Sequence, residues 1–153
     1  NDGEWRQCTS PHIVSGLTEG TQSFMVVDPN YPEAIKTRSW IVDLTAPETE
    51  ILSATTVKDG LVSSLTEAQV YFRSPDPAAV YECSIEDRNW EPCFSPVSIG
   101  SLEDGNHSFR VRGIDAFGNI DKTPASLHWT TDTIPPSTVL ESDIGEGKVT
   151  ASS

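Results

Sequence analysis

Apolar and polar residues alternate one by one through the middle of the chain. Val70 and Phe72 share one face of AQVYFRS; Tyr81 and Cys83 alternate with Glu82 and Ser84; Phe109 and Val111 alternate with Arg110 and Arg112. A period of two, apolar inward and charged outward, is that of an antiparallel strand with one face on a core and the other in water. Val97, Ile99 and Leu102 add a further stretch, and Leu127 and Trp129 suit a last strand. Turn formers punctuate these runs at SPDPAA, EDRNW, LEDGN and DAFGN. About seven short strands over residues 47–135 predict a two-sheet sandwich whose inner faces supply the core. No segment keeps helical spacing for three turns, which excludes the parallel α/β folds that house most nucleotide sites.

The pattern also repeats. DGEWRQCTSP (residues 2–11) reads against EDRNWEPCFSP (86–96), with Trp5/Trp90, Cys8/Cys93 and Pro11/Pro96 each 85 positions apart. Leu17/Leu102, Gly20/Gly105 and Phe24/Phe109 keep that offset, whereas Trp40/Trp129 and Pro47/Pro136 stand 89 apart. The second copy therefore carries four extra residues where DPNYPEAIK faces IDAFGNIDKTPA, a stretch read here as loop. The expected fold is all-β: tandem immunoglobulin-like antiparallel β-sandwich repeats, one complete and two partial. Residues 1–46 are the C-terminal half of one repeat, 47–135 a complete repeat, and 136–153 the start of the next. The joints WIVDLTAPETEI and WTTDTIPPSTVL run strand, proline connector and strand together, so successive repeats are expected to stack as a semi-rigid rod.

Composition narrows the class of partner. Ten basic against twenty-three acidic residues give a formal charge of −13, which repels nucleic acid and anionic lipid alike. No apolar run is long enough to span a bilayer, so direct membrane insertion is not expected. The first residue is Asn and no signal-peptide pattern follows it, so the sequence reads as an interior piece of a longer or processed polypeptide.

The segments YECSIEDRNWEPCFSP and LEDGNHSFRVRGIDAFGNIDKTPASLHWTTDTIPP carry a resemblance. They are similar to the tandem bacterial-type Ig-like repeat of large secreted and surface proteins: a cysteine strand, a Trp hairpin, a second Cys before Ser-Pro, Leu-x-Asp-Gly, Asp-x-x-Gly-Asn, and a closing Trp before Asp-Thr-x-x-Pro. The resemblance implies a modular spacer or adhesive stalk, including fibres such as flagellar hairs, and it implies no reaction. The first copy departs from it by having DPNYPEA in place of the Asp-x-x-Gly-Asn loop.

Cys83 and Cys93 flank the turn EDRN, and antiparallel pairing there brings two Cβ atoms within disulfide range; the alternative is a pair of reduced, buried thiols. Cys8 occupies the place of Cys93, and its partner is expected upstream of Asn1, leaving it unpaired by truncation. Disulfide use implies an extracellular or cell-surface setting. Asp115, Asn119 and Asp121 cluster in IDAFGNID, a weak calcium candidate whose alternative is turn chemistry; no other metal or cofactor is expected. Asn106-His107-Ser108 is an N-glycosylation acceptor sequence, placed on a predicted turn, which takes sugar only in a host that glycosylates it.

Phosphate loops, a nucleophile elbow and zinc motifs are absent from the sequence, and acidic pairs such as Glu103 and Asp104 read as turn formers. His12, His107 and His128 are read as surface strand residues. Trp5, Trp40, Trp90 and Trp129 recur at two repeat positions, which points to core or inter-domain packing; the alternative is a stacking platform for sugar. The leading expectation is a non-enzymatic structural or adhesive module of an extracellular filament, stalk or adhesin, its partners being neighbouring repeats, copies of itself or glycans. The alternative is a carbohydrate- or protein-binding accessory module of a secreted enzyme. Head-to-tail exchange of the two partial copies between chains would leave the equivalents of 65–85 missing, so a window on a continuous array is preferred.

Overall fold

The computed structural model describes residues 4–138, so the third copy expected at 136–153 lies almost wholly outside the described residues. Ten strands and no helix are present among them: β1 (Gly20–Asp28), β2 (Tyr31–Val42), β3 (Glu50–Thr55), β4 (Val62–Ser63), β5 (Ala68–Arg73), β6 (Val80–Ile85), β7 (Glu91–Cys93), β8 (Val97–Ile99), β9 (Gly105–Ile114) and β10 (Ala125–Thr131). They form a three-stranded sheet in the order β3-β5-β8, a five-stranded sheet β4-β10-β9-β6-β7 and a separate hairpin β1-β2. All pairings are antiparallel except the short β4 against β10, which the period-two pattern did not anticipate.

The two larger sheets share one core, an arrangement consistent with a β-sandwich. Ala68, Val70 and Phe72 of β5 and Ile99 of β8 meet Cys83 of β6, Phe109 and Val111 of β9, and Leu127 and Trp129 of β10. Phe72 packs edge-on against Tyr81 and tilts over Phe109, with centroids 5.1 and 6.1 Å apart. Every second residue of β5, β9 and β10 faces inward, because successive side chains of a strand point to opposite faces. Leu102 is buried from outside the strands, in the link between β8 and β9.

The hairpin β1-β2 has the same register as β9-β10. Gly20 pairs with Val42, Gln22 with Trp40 and Phe24 with Arg38. At offsets of 85 and 89, Gly105 pairs with Thr131, His107 with Trp129 and Phe109 with Leu127. Backbone detail follows the same offsets: Gly16 and Ser101 are left-handed (φ 68° and 58°), and Gly20 and Gly105 both have positive φ (101° and 140°).

The tips of the hairpins differ from expectation. DPNYPEAIK is mostly strand rather than loop, because β2 already begins at Tyr31 and only Pro29 and Asn30 separate it from β1. The Asp28 carboxylate accepts a hydrogen bond from the Asn30 amide at 2.9 Å and closes this turn, so β1-β2 extends its ladder where an ordered loop joins β9 to β10.

Candidate functional site

Three features of the described residues have organised chemistry: the joint around residues 43–49, the disulfide hairpin, and a cleft beside β1. The joint is built from both sides. Asp43 accepts the Thr45 amide at 3.0 Å, as Asp132 accepts that of Ile134. Glu19 accepts the Leu44 amide at 2.8 Å, as Asp104 accepts that of Thr133. Each pair of equivalent acids therefore fastens the exit of its hairpin in the same way.

The loop 115–123 then braces the joint. Asp115 Oδ1 accepts the amides of Phe117 and Asn119, both at 2.8 Å, and its Oδ2 accepts Asn119 Nδ2 at 2.8 Å. Asn119 Nδ2 also donates to the Asp43 carbonyl at 3.1 Å. Gly118 takes a positive φ of 89°, the conformation that lets the loop fold back over Asp115. Thr49 Oγ1 accepts the Gly113 amide at 2.7 Å, and a Cβ on Gly113 would lie 3.1 Å from that oxygen and 3.3 Å from Pro47, so glycine permits the close approach. Asp121 caps Thr123 through Oδ1, and its buried Oδ2 has no partner. The calcium candidates thus serve as loop fasteners, and no group of three or more acidic, His or Cys side chains poised for a metal occurs among the described residues.

Burial acts to raise the Asp115 pKa, but hydrogen bonds from the Asn119 side chain and from the Asn119, Phe117 and Gly118 amides outweigh it and hold the carboxyl below its ordinary value of 3.8. A depressed folded-state pKa contributes stability above the unfolded value, and that contribution disappears as pH falls through the lower, folded one. Asp115→Asn should therefore lower the melting temperature at pH 7, and thermal melts at falling pH should show the two proteins converging in acid. A difference independent of pH would contradict this role.

Comparison with models of protein families and with curated proteins finds no match. What the chain's residues can do rests on their own geometry.

Cys83 and Cys93 form a disulfide across β6 and β7, with Cα atoms 5.8 Å apart. In the same hairpin Trp90 lies under two guanidinium groups, Arg112 at 4.3 Å and Arg110 at 5.3 Å from the ring centroid. Arg112 is also paired with Glu82 at 2.7 Å and Arg110 with Asp87 at 3.3 Å, so this tryptophan belongs to a cation-π and ion-pair layer on the outer sheet face. Trp129 is buried in the core and Trp40 is half-buried, whereas Trp5 is 58% exposed.

Two positions differ from their sequence reading. His107 is not a surface residue: its side chain is 10% exposed, stacked on Trp129, with Nδ1 3.0 Å from Glu86 and Nε2 2.8 Å from the Glu103 carbonyl. It sits inside because it occupies an inward step of the β9 alternation beside Trp129, a signal present in the sequence but masked by the residue's polarity. Asn106 is exposed as the glycan acceptor requires, yet it lies on β9 rather than in a turn, its Oδ1 accepting a hydrogen bond from Thr130.

Cys8 is a free, exposed cysteine. With Glu4–Gln7, His12 and Ser23–Met25 it lines a cleft of about 390 Å³ against β1, where His12 stacks on Phe24 at 5.4 Å.

Proposed function

We propose that this chain is a non-catalytic structural module of an extracellular filament, stalk or adhesin, built from tandem Ig-like repeats of the bacterial type. The sheet order β4-β10-β9-β6-β7 opposite β3-β5-β8 supports an Ig-like arrangement of residues 47–135. The observation that carries the repeat reading is the shared register of β1-β2 and β9-β10, together with the matching Glu19/Asp104 and Asp43/Asp132 braces. The disulfide supports an oxidising location.

Function on this reading is mechanical. The contacts of Asn119 with Asp43 and of Gly113 with Thr49 pin the connector to the following repeat, so bending at the joint must break hydrogen bonds as well as rotate a proline-containing segment. Glycan binding has less support, since Trp40, Trp90 and Trp129 are half-buried or fully buried.

Antibodies raised against residues 47–135 should label fibres or the outer surface of intact source cells by immunogold microscopy. Label that appears only after permeabilisation would overturn the extracellular reading.

A further inference from the structure

Asn106-His107-Ser108 is the one N-glycosylation acceptor sequence in the chain, and its residues stand in unlike surroundings. Asn106 is exposed, His107 stacks on Trp129, and Ser108, whose hydroxyl belongs to the acceptor sequence, is only 9% exposed. Ser108 is held from both sides. It pairs with His128 of β10, and its carbonyl accepts the Glu86 amide at 3.0 Å. Asn106 pairs with Thr130 in the same ladder.

The Asn106 side chain leaves its nitrogen free. Its one hydrogen bond among the described residues is through Oδ1, which accepts Thr130 Oγ1 at 2.8 Å, so Nδ2 has no protein partner on an exposed face. Strand chemistry does not account for asparagine here, since it is depleted in strands and the hairpin β1-β2 has Thr21 at the matching place. Nor is the matching place covered where β2 continues into the joint: Thr21 stays exposed, and Ile41, which matches Thr130, is 62% exposed. Asn106, Thr130 and Val62 form one row across the sheet, ending on the short edge strand β4, where Val62 is 69% exposed. An open cleft of about 300 Å³ between Gly60 and His128 adjoins Asn106, so the row has room for a bulky substituent.

We propose that Asn106 is an N-glycosylation site filled on the unfolded chain, before β9 pairs with β10, and that the folded protein carries the sugar without losing a contact. The inference rests on the proposed extracellular setting and adds to it a covalent modification with a fixed place in folding. A transferase reaches the Ser108 hydroxyl and the backbone around it only while this segment is out of the sheet. Nδ2 remains outward after folding, and Oδ1 of the linked amide still accepts Thr130.

The co-reactant is an oligosaccharide linked to a lipid diphosphate. Asn106 Nδ2 bonds to C1 of the first sugar, the bond from C1 to the diphosphate oxygen breaks, and the lipid diphosphate leaves with the electron pair. Nδ2 gives up one proton to a base of the transferase, and nothing is oxidised or reduced.

The test uses purified oligosaccharyltransferase with a dolichyl-diphosphate oligosaccharide, and reads products by intact mass and peptide mapping. The acceptors are the folded full chain, the full chain unfolded by Phe109→Ala with Cys83→Ala and Cys93→Ala, and that unfolded chain with Asn106→Gln added. A peptide of residues 101–113, too short to build the sandwich, serves as a second unpaired acceptor. The unfolded chain and the peptide should gain one glycan at Asn106 at least about tenfold faster than the folded chain, which reacts only when β9 opens. The Asn106→Gln form should gain none. Equal rates for folded and unpaired acceptors would overturn the order of events, and no sugar on either unpaired acceptor would overturn the site. The wild-type chain secreted from a eukaryotic host should carry the same glycan and unfold at a urea midpoint no lower than that of the sugar-free chain. A lower midpoint would overturn the claim that the fold accommodates the sugar. Because the transferase reaction is run on purified components, its failure counts against Asn106 alone, whereas immunogold label confined to permeabilised cells counts against the extracellular reading.

Discussion

Phe109→Ala should destabilise residues 47–135 by about 3–5 kcal/mol, whereas Phe24→Ala, at the equivalent place in the first hairpin, should cost less than about 1 kcal/mol. Phe109 is fully buried between the sheets, tilted over Phe72 and surrounded by Val70, Val111 and Leu127. Truncating it loses the transfer free energy of the ring and leaves a cavity that a close-packed interior fills only in part. Domains of this size are stable by roughly 5–15 kcal/mol, so the loss is a large fraction of the total. Phe24 stacks on His12 and is only half covered, so water replaces the lost contacts. Urea unfolding followed by tryptophan fluorescence measures both variants. Equal losses would mean that the hairpin β1-β2 has an interior of its own.

The second large effect belongs to the disulfide. Replacing Cys83 and Cys93 together by Ala should lower stability by about 2–3 kcal/mol, the loop-closure entropy expected for a bridge over a short segment. Cys83 is almost fully buried, so Ala is the better replacement than Ser, which would bury an unpaired hydroxyl. Reducing agent should shift the wild-type urea midpoint down and leave the double variant unmoved, because the only cysteine then remaining is Cys8, whose thiol is exposed and free. An unchanged midpoint in the variant would show that the hairpin β6-β7 holds its register without the bond.

The inward alternation of Val70/Phe72, Phe109/Val111 and Leu127/Trp129 was legible in the sequence because a period of two with polar side chains such as Arg110 and His128 between the apolar ones has few other physical meanings. The Cys83–Cys93 bond was legible for a related reason, since a short turn between two strands leaves little else for the cysteines to face. What escaped were features decided by tertiary partners. His107 goes inside because Glu86 and the Glu103 carbonyl satisfy both ring nitrogens, and neither partner is marked in the local pattern. The residues Tyr31–Lys36 become strand because β1 continues opposite them, although Pro32 and Glu33 taken alone suggest loop. The turn chemistry of Asp115 and Asn119 is legible in IDAFGNID, whereas the contact of Asn119 with the Asp43 carbonyl is not.

The proposed function requires that residues 1–46 be the latter part of a sandwich of the kind proposed for residues 47–135. The most direct test is the chain in which a second copy of residues 47–85 precedes Asn1, joined in repeat register, with free thiols counted under denaturing conditions and disulfides mapped by mass spectrometry. The account predicts that the thiol of Cys8 disappears into a bond with the added copy of Cys83, while Cys83–Cys93 of the original repeat is retained. A titratable Cys8 in a folded, soluble chain would contradict it.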